Sequence, residues 1–458
     1  MKTIDLENLL VPYKEQFLMN LSEFVSINST YDESSKDDEN PFGKGVSNAL
    51  DFIYRLAKKD GFEVKNYNNM LVEILLGDEE KNITILAHAD VVPSGEGWES
   101  NPFRLKKEGD IIYGRGVSDD KGPLLACYYA LKALKEKKLI NGYQVRFLVG
   151  GNEESGSLGM KYYFETLKKK EPTFGFSPDS DFPLIYAEKG GINFTLTGQI
   201  DLKDVISIKG GQAFNSVIEK TVLNIKHNQK LIDYIKENKI NAEIKESENG
   251  IDEIIFFGVA AHGATPENGV NAGMICLKAL QAVYLNKELK KIIDAYSPLD
   301  GSGLNVDAYS FDMGHNSLNF GLLNYKDNNI YMALNYRYVN GVNPQEMLDK
   351  IISKSKPFTI TVVDTMNLLF YPKDSTLIKT LLEAYQIETQ DYVSKPLAIG
   401  GGTYAKETKN VVAFGAQFEG FDTYMHSNKE RARISDLYKA MKIYARAILM
   451  LGNKINED

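Results

Sequence analysis

The chain reads as an α/β protein whose sheet domain is interrupted by an inserted α+β domain. Three observations predict this. Short, strongly apolar segments alternate with helical patterns over residues 1–188, as in a mainly parallel sheet covered by helices. From about Lys189 the strands turn half-polar and alternating, the mark of sheets with one exposed face. After about Tyr371 the first pattern returns, so 374–458 is expected to complete the domain begun by 1–188, with 189–373 as the insert. A chain of 458 residues is also long for one core.

The elements follow in order. Helices are expected over 12–27 and 46–59, strands over 70–76 and 82–92, and a short extended pair over 103–113. Pro123 is read as opening a helix that runs to about 138. A strand over 144–150, a helix over 160–170 and a strand over 174–177 close the first part. In the insert, strands are expected over 192–198, 221–226, 242–246, 253–259, 318–324, 330–338 and 358–363, with helices over 229–237, 270–285 and 344–355. Two similar βαβ-type halves are conceivable there, without a clear repeat. The last part carries a helix over 375–389, a strand over 410–414 and a long helix over 435–451.

Composition narrows the function. Hydrophobic content of 43% and charged content of 25% fit a globular protein, and a net charge of −9 disfavours nucleic acid or an anionic membrane as partner. Cys127 and Cys276 both lie in apolar, helix-like runs and read as buried free thiols of a reducing compartment. The N-terminal stretch from Met1 to Glu7 mixes acids with apolar residues, unlike a secretion signal, and no run approaches the roughly 20 apolar residues of a membrane span. A cytoplasmic protein is expected.

The chemistry concentrates at strand ends, where α/β domains place reactive groups. The strand into Gly150-Gly151-Asn152-Glu153-Glu154-Ser155-Gly156 ends in two adjacent acids, which point to opposite sides of an extended chain and can take different jobs. Taken alone, a charged turn is the better reading of them. His88 and Asp90 lie two apart on a strand and face the same way, so a carboxylate can orient an imidazole. Asp119-Asp120, set in a glycine turn, suits a cation better than a phosphate. Gly400-Gly401-Gly402-Thr403 offers backbone amides or merely a flexible turn. Five histidines and several carboxylates, with no thiolate cluster, suit an open hydrolytic metal site.

Taken together and in order, His88-Ala89-Asp90, the 114–123 loop, Gly151 to Gly156, Ser177-Pro178-Asp179-Ser180-Asp181-Phe182-Pro183 and Gly400 to Ala405 resemble the M20 metallopeptidase family. The likeness is greatest to its long bacterial dipeptidases, the PepV-type or Xaa-His dipeptidases, and spans nearly the whole chain. It implies a dimetal exopeptidase fold with a lid. It also implies two divalent ions, zinc by preference and manganese or cobalt as alternatives. Asp119 would bridge them, with His88 and Asp179 completing one site and Glu154 and His426 the other. Asp90 would orient His88. Glu153 would be the general base that takes a proton from a bridging water or hydroxide and delivers it to the leaving amine. The family's Asp-Asp peptide is commonly cis, which is expected for the 119–120 bond.

In the lid, the resemblance assigns His262 to the oxyanion, Asn215 to substrate contact and Arg337 to the substrate's C-terminal carboxylate, with Gly401 also at the substrate. His227 and His315 receive no role. The chain departs from the pattern at Val339, Lys406, Glu419 and in Ser427-Asn428-Lys429-Glu430, where an asparagine is displaced. These departures touch no implied ligand. The activity implied is hydrolysis of dipeptides by a protein able to act as a monomer. The alternative is an N-acyl-amino-acid amidohydrolase or desuccinylase on the same centre.

Overall fold

The computed structural model describes residues 4–247 and 250–457, so Met1 to Thr3, where the leader reading begins, lie outside the described residues. The chain forms two compact units. The first comprises 1–187, 369–398 and 403–458, and the second 188–368 with 399–402.

The first unit is built on a nine-stranded mixed sheet among the described residues. Its centre is parallel: Gln144–Gly150, Asn82–His88, Phe174–Ser177 and Val411–Ala413 lie side by side. Leu71–Leu76 and Glu63–Tyr67 extend one edge antiparallel. Asn82–His88 is buried along its whole length, as a parallel strand covered on both faces must be. That explains its unbroken Ile-Thr-Ile-Leu-Ala run. The long helices Lys121–Glu136 and Ile434–Glu457 pack together, and Tyr444 stacks on Phe176 with ring centroids 5.6 Å apart. The C-terminal segment contributes a central strand and a covering helix to this sheet.

The register sets the site. His88 stands opposite Gly150 in adjacent parallel strands, and Ser177 ends the strand on the other side of His88. Three consecutive carboxyl ends thus open at one edge of the sheet. The helix expected from Pro123 begins at Lys121 instead, with Asp120 as its N-cap. Proline is tolerated there because the first-turn amides have no helical acceptor. Lys121 is fully buried and donates to the carbonyls of Phe24 (3.0 Å) and Ile27 (2.7 Å), closing the C-terminus of the helix Lys14–Ser26. Both cysteines are buried and free.

The second unit carries one eight-stranded sheet among the described residues, antiparallel in every pairing. Any two halves are fused, because Val205–Gly211 pairs with Ser317–Lys326 at the join. The helices Gln229–Glu237, Ala272–Tyr284, Lys287–Tyr296 and Pro344–Lys354 each start on an asparagine whose side chain accepts first-turn amides: Asn228, Asn271, Asn286 and Asn343. Among the described residues, no helix is long and apolar enough to cross a membrane.

Replacing Lys121 with alanine removes both carbonyl contacts while leaving the site carboxylates in place. The expected outcome is a loss of about 1–3 kcal/mol in unfolding free energy, read as a lower denaturant midpoint at unchanged slope.

Candidate metal centre

Beyond the three strand ends, five side chains from five segments converge. His88, Asp119 and Asp179 offer ligand atoms within 4.8 Å of one another, and so do Asp119, Glu154 and His426. Asp119 belongs to both sets. Its Oδ1 lies 3.0 Å from His88 Nε2 and its Oδ2 lies 2.8 Å from His426 Nε2. His426 also reaches Glu154 Oε1 at 3.0 Å, and Asp179 Oδ2 lies 3.7 Å from His88 Nε2. The Asp119–Asp120 peptide is cis, as expected. His426 sits at φ +61°, a left-handed conformation in which histidine is more common than most side chains.

Asp90 contacts His88 mainly through its backbone. His88 Nδ1 lies closer to the Asp90 backbone oxygen (3.0 Å) than to its carboxylate (3.4 Å). The Asp90 carboxylate instead accepts the amides of Glu153 and Glu154, each at 3.1 Å. It therefore fixes the turn on which the two acids diverge. Glu154 faces His426, whereas the Glu153 side chain makes no hydrogen bond among the described residues, leaving its carboxyl uncommitted beside the cluster.

Electrostatically the cluster is short of positive charge. Among the described residues, only the two imidazoles form ion pairs with Asp119, Asp179 and Glu154. Burial, reinforced by neighbouring carboxylates, lifts Glu153 and Asp179 well above the usual carboxyl range, and burial raises Glu154 too. At His426 burial opposes the charged ring, but the hydrogen bonds to Asp119 and Glu154 prevail and push it up to about 11. His88 rises in the same way, against burial, through Asp119 and Asp90. Asp120 is fully buried, with Oδ2 accepting from the His88 amide and Oδ1 unpaired. Two imidazoles and three carboxylates around crowded negative charge fit divalent cations well.

Two residues that sequence reasoning left without a role hold the cluster together. Glu430 is fully buried and accepts from Arg115 Nη1 (2.6 Å), the amides of Gly116 (2.9 Å) and Ser118 (3.1 Å), and Ser118 Oγ (3.1 Å). It thereby buckles the loop after His426 to the loop before Asp119. Tyr404, also fully buried, lies edge-on to His88 and accepts the amide of Asn152 at 3.3 Å. A Cβ on Gly150 would sit 2.3 Å from its hydroxyl, so the glycine before the acid pair makes room for the tyrosine. The displaced asparagine, Asn428, donates to the Glu96 carbonyl at 3.0 Å and braces the 93–102 loop. The one cue to Glu430 was an acid four residues after His426.

The other expected residues lie in the second unit. Asn215 and His262 are brought together: Gly263 donates its amide to the Asn215 carbonyl at 2.7 Å, and Ser216 forms a β-bridge with His262. Both side chains are exposed. Arg337 is buried on a central strand and donates to the Gly400 carbonyl, next to Gly401. His227 pairs with Asp252, and His315 packs on Tyr309.

A family model described as peptidase family M20/M25/M40 matches residues 84–450. The chain belongs to this peptidase family. Relatives agree over almost the full length. A Bacillus subtilis protein named "Putative dipeptidase YtjP" is 33% identical, covering 96% of this chain and 98% of its own. A Staphylococcus epidermidis "Putative dipeptidase" is 32% identical with the same coverage. Solved M20 structures share the fold at low identity. A Saccharomyces cerevisiae di-peptidase, Dug1p, aligns with a TM-score of 0.60 at 15% identity over 97% of this chain and 98% of its own. Human carnosine dipeptidase 1 aligns at 0.59 and 15%, over 98% and 99%.

Glu430→Gln tests the buckle. The expected outcome is a folded protein whose affinity for zinc, measured by titration calorimetry, falls about 10–100-fold.

Proposed function

We propose that the chain is a dinuclear metallodipeptidase that hydrolyses dipeptides and short peptides bearing a free C-terminal carboxylate. The observation that carries this reading is the shared Asp119, with Glu153 uncommitted beside it. His88, Asp119 and Asp179 would hold one ion, and Asp119, Glu154 and His426 the other. Zinc suits the mixed imidazole and carboxylate donors, and manganese or cobalt is also accommodated. When bound, the ions supply positive charge that polarises the scissile carbonyl and acidifies water.

The protein's own groups do the rest. Glu153, lifted by burial and neighbouring charge, is suited to take a proton from the attacking water and return it to the leaving amine. Asp90 holds the Glu153-Glu154 turn, so the proton carrier and the ligand keep their separate directions. In the second unit, which we read as the lid, His262 supports the developing oxyanion and Asn215 contacts the substrate. Arg337 grips the substrate carboxylate, with Gly401 beside it. A guanidinium pairs with a carboxylate in a two-point fork, which suits recognition of a C-terminus. Burial lowers the Arg337 pKa only to about 10, so the side chain stays charged at neutral pH. We read the protein as cytoplasmic, supported by its buried free thiols, and as able to act as a monomer.

Amine release from a panel of dipeptides and N-acyl amino acids, with metal-stripped and zinc- or manganese-loaded protein, is the direct test. Turnover is expected on dipeptides, only with metal. Turnover confined to the acyl amino acids would move the assignment to an amidohydrolase, and none on either class would end the enzymatic reading. Glu153→Ala is expected to keep two metals per chain by native mass spectrometry while kcat falls about 10²–10⁴-fold. Loss of metal instead would mean that Glu153 is a ligand. Arg337→Ala is expected to raise KM about 10-fold or more, and an unchanged KM would contradict the clamp.

A further inference from the structure

Three asparagines stand opposite one another across neighbouring strands of the second unit. Asn319 pairs in register with Asn335, and Asn335 with Asn193. Their sequence neighbours Leu318, Phe320, Leu334, Tyr336, Ile192 and Phe194 all belong to the hydrophobic core of this unit. Alternation along a strand therefore turns the asparagines to the opposite face of the sheet, the face that Arg337 shares with Asn335 two residues away.

Asn319 and Asn335 are each only 1% exposed, and buried amides destabilise a fold unless they are hydrogen-bonded. The pairing they adopt is informative. Asn335 Nδ2 donates to Asn193 Oδ1 at 2.7 Å, which leaves Asn335 Oδ1 to accept from Arg337 Nε at 2.9 Å. With Nε held there and Nη1 donating to the Gly400 carbonyl, the plane of the guanidinium is set. No carboxylate pairs with Arg337 among the described residues, and burial lowers its pKa. A buried, oriented guanidinium without a counter-ion is a receptor for one.

The far end of the row is equally specific. Asn319 Nδ2 donates to the carbonyls of Phe214 (2.7 Å) and Ser216 (3.0 Å), on either side of Asn215. Its Oδ1 is left buried and unpartnered. The same sheet face thus fixes the strand of Arg337 and the loop of Asn215, and through Gly263 and Ser216 it reaches the backbone of His262.

We propose that Asn335, braced by Asn193, is a positioning residue for substrate recognition. It holds Arg337 so that the guanidinium meets a planar carboxylate edge-on, and it is the source of discrimination between a C-terminal carboxylate and the uncharged carboxamide. The inference rests on Arg337 being the carboxylate clamp. A positioning role predicts a change in KM and in acid-over-amide preference, whereas a merely structural role would lower stability and leave that preference unmoved.

The experiment compares one dipeptide with its C-terminal amide, using metal-loaded wild type, Asn335→Leu and Asn193→Ala. Leucine keeps the branched shape of the asparagine side chain and removes both hydrogen bonds. Asn193→Ala leaves the Asn335–Arg337 bond in place but frees Asn335 to turn, which keeps the test open if the leucine variant fails to fold. The expected result for Asn335→Leu is a KM for the free acid raised about 10-fold or more, kcat within about 2-fold, and an acid-over-amide preference reduced by the same factor as KM rises. Asn193→Ala is expected to shift both in the same direction by a smaller factor. A folded Asn335→Leu protein with wild-type KM and preference overturns the proposal, as does an unchanged Asn193→Ala protein if the leucine variant cannot be made. If wild type itself does not distinguish acid from amide, the clamp reading of Arg337 falls first.

Discussion

One carboxylate, Asp119, is divided between two imidazoles, an oxygen to each. The first unit is arranged to make that division possible. It needs His88 at the end of a buried parallel strand, His426 on a loop in a left-handed backbone conformation, and Asp119 between them on a glycine-framed turn. Each partner is then secured from behind. Asp90 ties the acid turn, Tyr404 wedges under it, and Glu430 locks the two loops that approach from opposite ends of the sequence. A cluster so crowded with carboxylates repels itself, and its geometry persists because hydrogen bonds outside the cluster hold the loops that carry it.

The second unit solves a different problem. Its buried guanidinium, Arg337, is set on a sheet face instead of at a strand end. A buried amide row supports a charged side chain at a fixed orientation more rigidly than a loop could. Four asparagine-capped helices cover the other side with an apolar core.

Much of this was legible in the residues. Gln144–Gly150 and Phe174–Ser177 appear where apolar runs end in polar motifs, and Gln229–Glu237 follows its amphipathic period. The ligand candidates were legible as a set and only through the ordered resemblance, since adjacent acids at a strand end carry no local mark of which one binds metal. The strands Glu63–Tyr67 and Val205–Gly211 and the helix Lys287–Tyr296 were not read, because short segments that mix polar with apolar residues look like solvated loops until tertiary partners are known. Glu430 and Asn335 were invisible for a related reason. Their importance lies in partners far away in the sequence or across a strand pairing, Arg115 for one and Arg337 with Asn193 for the other.

The first unit is discontinuous, and this has a consequence for how the protein is made. The strand Val411–Ala413 that joins the parallel sheet, the histidine that completes the second triad and the glutamate that buckles the loops all follow the whole of 188–368 in the chain. A ribosome delivers His88, Asp119, Glu154 and Asp179 first, then residues 188–368, and His426 only after them. The nascent chain therefore carries an acidic, half-built cluster with an open sheet edge while the whole of 188–368 is made. The two triads can close around Asp119 only once that stretch has been synthesised.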